Sequence, residues 1–441
     1  MLDSLKPCGA FAALIVAALV AFSEARADDW PQFRGPQRDG RSAESGLLKA
    51  WPEGGPRLIR TIEGIGTGYS SVAVVGKRIH VSGKVGDEIK LFCFDLQGKK
   101  LWETSNGEAF TRSYPGSRAT VTVAGDMLFL MNGNGHLFAY RAASGKRRWT
   151  VDITERFKGK IPSWGYAESI LADGKNIICC PGGKDASFVA LSRKSGRVAW
   201  TSKGLSDGVH YASPILFEFK RTRIIANLTT RGLTAVNAKN GKFLWVFPRT
   251  KPKTAGVPNA VHADGYVFQA NGYGVGGGAV KLTGKGSKIK AVPAWETKDM
   301  VCHHGGYVIV DSHLYGNNGG GWACIELVSG TTKWKGRGPG KGSVIYADGH
   351  LYCFGENGTM GLLEANPEGY RMLSSFQLPN AGRQTWAHPA IANGVLYLRR
   401  EGKLFLYDIK AHNLSKKNRL SRPPTDSGEK ALSTRFRARD A

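Results

Sequence analysis

Eight short windows hold the side chains of this chain best suited to recognising a ligand, and each stands just before a β-rich run. They are Thr67-Gly68-Tyr69-Ser70-Ser71, Ser117-Arg118-Ala119-Thr120, Ser163-Trp164-Gly165-Tyr166-Ala167-Glu168, Val209-His210-Tyr211-Ala212-Ser213, Val257-Pro258-Asn259, Cys302-His303-His304-Gly305-Gly306, Gly340-Lys341-Gly342-Ser343 and Gln384-Thr385-Trp386-Ala387-His388. Four of the ten histidines fall in them, with two Trp, one Arg, one Lys and one Glu, which is more recognition chemistry than the start of a strand needs for folding. Arg118 and Lys341 can pair with anions, His210, His303, His304 and His388 can donate or accept near neutral pH, Trp164 and Trp386 can serve as stacking plates, and Tyr69 stands at the same mouth. Glu168 and Asn259 add two oxygen ligands. Together these residues suit an anionic or polyhydroxylated ligand. A plain alternative is that they hydrogen-bond one another and channel water. No metal site is expected, because adjacent His303 and His304 would point apart on a strand and would need His210 or His388 from elsewhere.

The windows recur because the chain does. A small residue, a polar turn with Gly and then Trp return every 40 to 50 residues, a spacing typical of propeller blades. Clear copies run from Cys93, Ala139, Ala190, Ala235 and Cys324 to Trp102, Trp149, Trp200, Trp245 and Trp334, and looser ones from Ala279 to Trp295 and from Leu362 to Phe376. Two-residue turns count the repeats independently: Gly76-Lys77, Gly125-Asp126, Asp173-Gly174, Asp264-Gly265, Asp311-Ser312, Asp348-Gly349 and Asn393-Gly394, with Phe219-Lys220-Arg221-Thr222 in the fourth unit. Each of the eight units reads as four antiparallel strands, without the 3.6-residue period of helical repeats. An all-β, eight-bladed propeller is therefore predicted, in which the first strand of each blade lines the channel and the eight windows form its mouth.

The last unit ends at Asp408 without a fourth strand, whereas Pro56–Ile62 has the alternation of a last strand with no first three before it. Pairing the two would close the ring and remove an exposed edge. The expected organisation is a signal peptide over 1–27, an N-terminal extension over 28–55, the propeller over 56–409 and a basic disordered tail over 410–441. The leader rests on Lys6, the apolar run Gly9–Phe22 and Ala25-Arg26-Ala27, a run too short to span a bilayer. Cys8 precedes that run, so lipid anchoring is not expected. The tail carries nine basic and three acidic residues and suits electrostatic contact with a membrane or anionic polymer.

Composition limits the rest. The 58 glycines among 441 residues are about twice the ordinary share and fit many turns, while 41% apolar residues exclude disorder throughout. The net charge of +26 favours anionic surroundings. No phosphate loop, nucleophile elbow or paired-cysteine zinc motif occurs, and Gly272–Gly278 reads as a flexible loop between strands.

The small-x-x…Gly-x-x-x-Trp unit resembles the docking motif of pyrroloquinoline quinone (PQQ) repeat propellers, in which a Trp of one blade stacks on the turn of its neighbour. That superfamily includes quinoprotein alcohol dehydrogenases and the BamB lipoproteins. Asp29-Trp30-Pro31-Gln32-Phe33-Arg34-Gly35-Pro36 with Arg38-Asp39-Gly40 looks like a planctomycete-type subgroup. The resemblance makes Cys93, Cys324, Cys179 and Cys353 small packing residues of repeat positions. Dehydrogenases of this kind carry a disulfide between neighbouring cysteines, but Ile177-Ile178-Cys179-Cys180 reads as a continuing strand. PQQ and calcium are the cofactors the resemblance implies, with Glu168 and Asn259 as the available oxygen ligands; the windows offer no Asp as base, so the carboxylate set is incomplete. The expectation is an exported monomer that binds an envelope protein or a ligand as a scaffold in the periplasm or cell envelope, without nucleic acid. The alternative is a PQQ- and calcium-dependent dehydrogenase acting on an alcohol or sugar.

Overall fold

The computed structural model describes residues 29–379 and 384–411. The expected leader and nearly all of the basic tail lie outside the described residues. Thirty-two strands form eight sheets of four, each antiparallel throughout. Among the described residues one short α-helix, Ile153–Phe157, and two single-turn 3-10 helices, Pro248–Thr250 and Gly286–Lys288, interrupt them. Blade 1 consists of Ala73–Val75, Arg78–Val85, Glu88–Asp95 and Lys100–Glu108, and six more blades repeat the pattern in chain order. Blade 8 is assembled from Ala390–Ala392, Val395–Arg400, Lys403–Asp408 and Leu58–Ile62. The pairing Leu58↔Tyr407 to Ile62↔Leu404 thus closes the ring with the N-terminal strand, and Arg57 Nη2 reinforces it at 2.6 Å from Asp408 Oδ2.

Tight turns hold the first two strands of each blade. In the fourth, Lys220 and Arg221 both adopt left-handed backbone at φ 46° and 63°, as a type I′ turn requires. The third turn is Gly174-Lys175, one residue later than the sequence suggests, because Asp173 still pairs with Asn176. Gly276–Gly278 belong to a strand, Gly276–Thr283, and are not a flexible loop. A Cβ on Gly277 would lie 2.6 Å from Phe268, so glycine there allows close packing of paired strands.

Blades are joined by the repeated tryptophan. Trp149 Nε1 donates to Arg193 O, Trp200 Nε1 to Ala238 O and Trp295 Nε1 to Leu327 O, in each case at the Gly turn of the following blade. Gly241 shows why the turn must be bare: at φ +70°, its added Cβ would stand 2.4 Å from Trp200. In blade 8, Arg60 and Ile62 pack over Gly98 instead. Around the channel a second link runs from blade to blade: the backbone N–H groups of Ser71, Thr120, Ser169 and Ser213 donate in turn to the side-chain oxygens of Thr120, Ser169, Ser213 and Asn259. The six cysteines among the described residues are free and buried, with burial pushing every thiol with a resolved shift upward.

The segment before the propeller crosses its channel. Trp30 pairs with Val74 of blade 1, and Val123 N–H of blade 2 donates to Pro31 O. Arg38 reaches Ser169 O and Ile170 O of blade 3 at 2.7 and 3.0 Å. Arg34 reaches Tyr307 O of blade 6 and Val344 O of blade 7 at 2.6 and 3.3 Å. The chain leaves along blade 7, where Tyr346 N–H donates to Gly40 O. Both arginines are fully buried, and their guanidinium groups donate to inner-strand carbonyls of several blades.

Candidate functional site

A cavity of about 210 Å³ opens at the channel mouth above this plug. Its walls are aromatic because the mouth windows and the neighbouring hairpins converge there: Tyr69, Tyr114, Trp164, Tyr211, Tyr273 and Trp386 line it, with Phe33 of the plug as a further lining residue. Trp386 packs between Tyr69 and Tyr114 at ring distances of 4.9 and 5.1 Å, and Trp164 faces Tyr211 at 5.4 Å. Tyr114 and Tyr273 hold left-handed backbone at φ 44° and 54° and remain about half exposed, at 48% and 47%. Side chains with this backbone outside glycine are uncommon and cluster where a site must be shaped.

Seven residues singled out in the sequence line the cavity: Tyr69, Arg118, Trp164, His303, His304, Trp386 and His388. Four do not. Glu168 turns away from it, because in Ala167-Glu168-Ser169 the alternation aims Ala167 and Ser169 at the cavity and Glu168 behind them. Both its oxygens accept from Cys180 N–H at 3.1 Å, and burial pushes its pKa up to about 8 against the opposing pull of that hydrogen bond and of Arg38. Asn259 spends Oδ1 on Ser213 N–H as a link of the inner ring. His210 lies beside Tyr211, with ring centroids 6.3 Å apart, outside the lining. Lys341 also lies outside and pairs with Glu356 Oε1 at 2.9 Å.

The two cations are thus engaged. Arg118 donates to Ser113 O, Gly116 O and Tyr114 O at 2.6, 2.9 and 3.0 Å, which fixes the loop bearing Tyr114. Burial lowers its pKa to about 10, still leaving it charged at neutral pH. Its guanidinium also covers Phe110 at 4.9 Å. His388 is held by Arg34 Nη1, which lies 3.3 Å from its Nδ1, while its Nε2 is 3.1 Å from His304 O. Burial, then Arg34, lowers its pKa to about 3, so it is neutral at ordinary pH.

His303 and His304 do not diverge as strand neighbours would. They occupy a bend before the strand Tyr307–Val310, and both rings face the cavity with centroids 5.6 Å apart. Tyr273 Oη lies 2.8 Å from His303 Nε2. Glu356, from a hairpin of blade 7, brings Oε1 to 3.4 Å from His304 Nδ1 and accepts from Trp386 Nε1 at 2.7 Å. Burial lowers the pKa of His303, and that of His304 much further.

Sequence reasoning passed over Phe33, Tyr114, Tyr211, Tyr273 and Glu356. Tyr211 stood inside a window beside the favoured His210. Phe33 lies in the N-terminal segment, Tyr114 in the loop between blades 1 and 2 just ahead of a window, and Tyr273 and Glu356 in hairpins away from the first strands, where the repeat carries no signal for direction.

The implied calcium ligands do not fit this geometry. Glu168 and Asn259 give their oxygens to Cys180 and Ser213 N–H groups behind the wall, and Glu356 is shared by Lys341 and Trp386. Hard oxygen ligands of the kind calcium takes are therefore not assembled at the cavity by these residues.

Known proteins with this architecture include both kinds the sequence resembles. The chain aligns at 25% identity over 223 residues with the quinoprotein alcohol dehydrogenase PedH of Pseudomonas putida, covering 49% of this chain but only 34% of that protein. By fold it superposes on BamB from Moraxella catarrhalis with a TM-score of 0.60 at 14% identity, over 81% of this chain and 98% of that one. It superposes on the quinohemoprotein alcohol dehydrogenase of Comamonas testosteroni with a TM-score of 0.66 at 11% identity, over 92% and 82%. Residues 90–336, more than half of the chain, match the family model described as outer membrane protein assembly factor BamB, and the protein belongs to that family of PQQ-like repeat propellers.

Proposed function

We propose that the protein is a binding scaffold of the cell envelope whose channel mouth holds one ring of a polyhydroxylated ligand. The aromatic wall carries this reading: six Tyr and Trp side chains around a cavity of about 210 Å³ offer the flat faces on which a sugar ring stacks, with phenol and indole groups at its edge. Its volume is below the roughly 300–1,000 Å³ of sites for larger ligands, which suits a single ring. The prior commitment of Arg118 to loop carbonyls and of Lys341 to Glu356 favours a neutral ligand over an anionic one. Membership of the BamB family supports an envelope location and export, and a surface for protein partners. No helix among the described residues is long and apolar enough to cross a membrane.

A PQQ- and calcium-dependent dehydrogenase is the second reading, favoured by the alignment with PedH. Titrating the full chain with monosaccharides, and separately with PQQ plus Ca²⁺, while following tryptophan fluorescence separates the two. Saturable quenching by a sugar, lost in Trp386→Ala and Trp164→Ala, is expected. Binding of PQQ only with Ca²⁺, without any sugar response, would overturn the scaffold reading.

A further inference from the structure

His303 and His304 line the cavity and Glu356 stands beside them outside its lining, each of the three bringing one ligating atom within 4.8 Å of the others. Their chemistry matches a borderline divalent cation, because two imidazoles and one carboxylate form the three-ligand set that leaves a zinc ion a free position. Two independent features point inward. His304 is 7% exposed, yet its ring nitrogens are buried without a hydrogen bond: Nε2 has no polar partner, and Nδ1 has only the Glu356 carboxylate at 3.4 Å, out of hydrogen-bonding alignment. A buried polar group in that condition is costly unless something fills the space. His303 is oriented as a ligand is: Nε2 is held by Tyr273 Oη at 2.8 Å, while Nδ1 is buried and unpartnered. Metal-bound histidines nearly always use their second nitrogen in this way.

We infer that this triad is a binding site for a Zn²⁺-like divalent cation beside the cavity. A tetrahedral ion with ligand bonds of roughly 2.1 Å needs ligands about 3.4 Å apart, so binding draws the three side chains together by about an ångström. The Lys341 ammonium, 2.9 Å from Glu356 Oε1, is the built-in competitor for the carboxylate.

The test uses the tag-free full chain in competition with a chromophoric chelator for Zn²⁺, and Co²⁺ as a spectroscopic substitute. One ion per chain is expected, with a visible Co²⁺ absorption band. His304→Ala and Glu356→Gln should each weaken binding by on the order of 100-fold, and Tyr273→Phe by about 10-fold, as loss of an outer partner does. Lys341→Met should tighten it severalfold, an effect that a merely structural ion pair would not produce. His303→Ala, at a half-buried position, serves if the His304 variant fails to fold, and thermal melts of the metal-free variants check this. Absence of a bound ion in the parent chain, or equal binding by the parent and the His303→Ala and Glu356→Gln variants, would overturn the inference. Either result is independent of sugar binding, which is read without added metal.

Discussion

Replacing Arg34 by Met tests whether the N-terminal segment is a structural plug on which the cavity depends. Arg34 is 2% exposed, and its guanidinium donates to Tyr307 O at 2.6 Å, Asp39 O at 3.1 Å and Val344 O at 3.3 Å, besides contacting His388. Methionine fills much of the space but removes those donors, at about 1–3 kcal/mol for each carbonyl left unsatisfied where water cannot reach. Relief of the buried cation offsets part of this, since desolvation lowers the Arg34 pKa and so counts against the charged form. A net loss of about 3–4 kcal/mol follows, within the range for breaking a buried charged network. For a ring this large, each kcal/mol moves Tm by about 1–2 °C, extrapolating the size dependence, so a fall of about 3–8 °C is expected.

Release of the plug has a second signature. Phe33 would leave the cavity and His388 would lose its cationic neighbour, so the His388 pKa should rise from about 3. Limited proteolysis should then cut within residues 29–45, and the sugar response should weaken. Arg34→Lys keeps the charge without the planar fork and should fall between the two. A Tm within about 1 °C of the parent together with unchanged protease resistance would refute the plug.

Three further outcomes follow from the same geometry. Gly241→Ala meets both left-handed backbone at φ +70° and Trp200 at 2.4 Å, and should cost about 2–3 kcal/mol in denaturant unfolding; an unchanged midpoint would remove the blade-docking account. Deleting residues 56–62 strips blade 8 of its outer strand and should lower Tm by well over 5 °C or yield aggregates, whereas a normal melt would show that the ring closes without it. Glu168 has a folded pKa of about 8 against an ordinary 4.5, so its neutral form is favoured by folding: its contribution is full below pH 4.5 and is lost as pH rises through 8. Glu168→Gln should therefore flatten the decline of Tm between pH 5 and 9 and raise stability at pH 9; an identical profile would mean the carboxylate is better hydrated or paired than its burial implies.

The ring was legible because a propeller repeats its physics: the same small residue, Gly turn and Trp must recur wherever one blade docks on the next, as Trp149 on the Arg193–Gly196 turn and Trp200 on the Ala238–Gly241 turn do. The unpaired alternation of Leu58–Ile62 was legible for the same reason, since blade 8 lacked its outer strand. The mouth was legible only in part, because a repeat tells which window a residue occupies but not which way its side chain turns. Within one window, successive side chains turn opposite ways, Glu168 to Cys180 and its neighbours Ala167 and Ser169 to the cavity. In another, a bend cancels that alternation and lets both His303 and His304 face inward.

The plug was the least legible, and it changes what the mouth can be. In the sequence Arg34 and Arg38 stand only as members of the Asp29–Gly40 motif, whereas in the ring they serve as networks of hydrogen-bond donors for carbonyls of blades 3, 6 and 7. An open propeller channel would be a water-filled tube lined with strand ends. With Phe33 carried into it by these arginines, the channel becomes a blind, aromatic cavity, and the inner ring from Ser71 to Asn259 becomes its fixed frame. Binding at the mouth is thereby tied to a segment some 350 residues away in sequence from Trp386 and His388. A change in the plug should reach the cavity without any substitution in its walls.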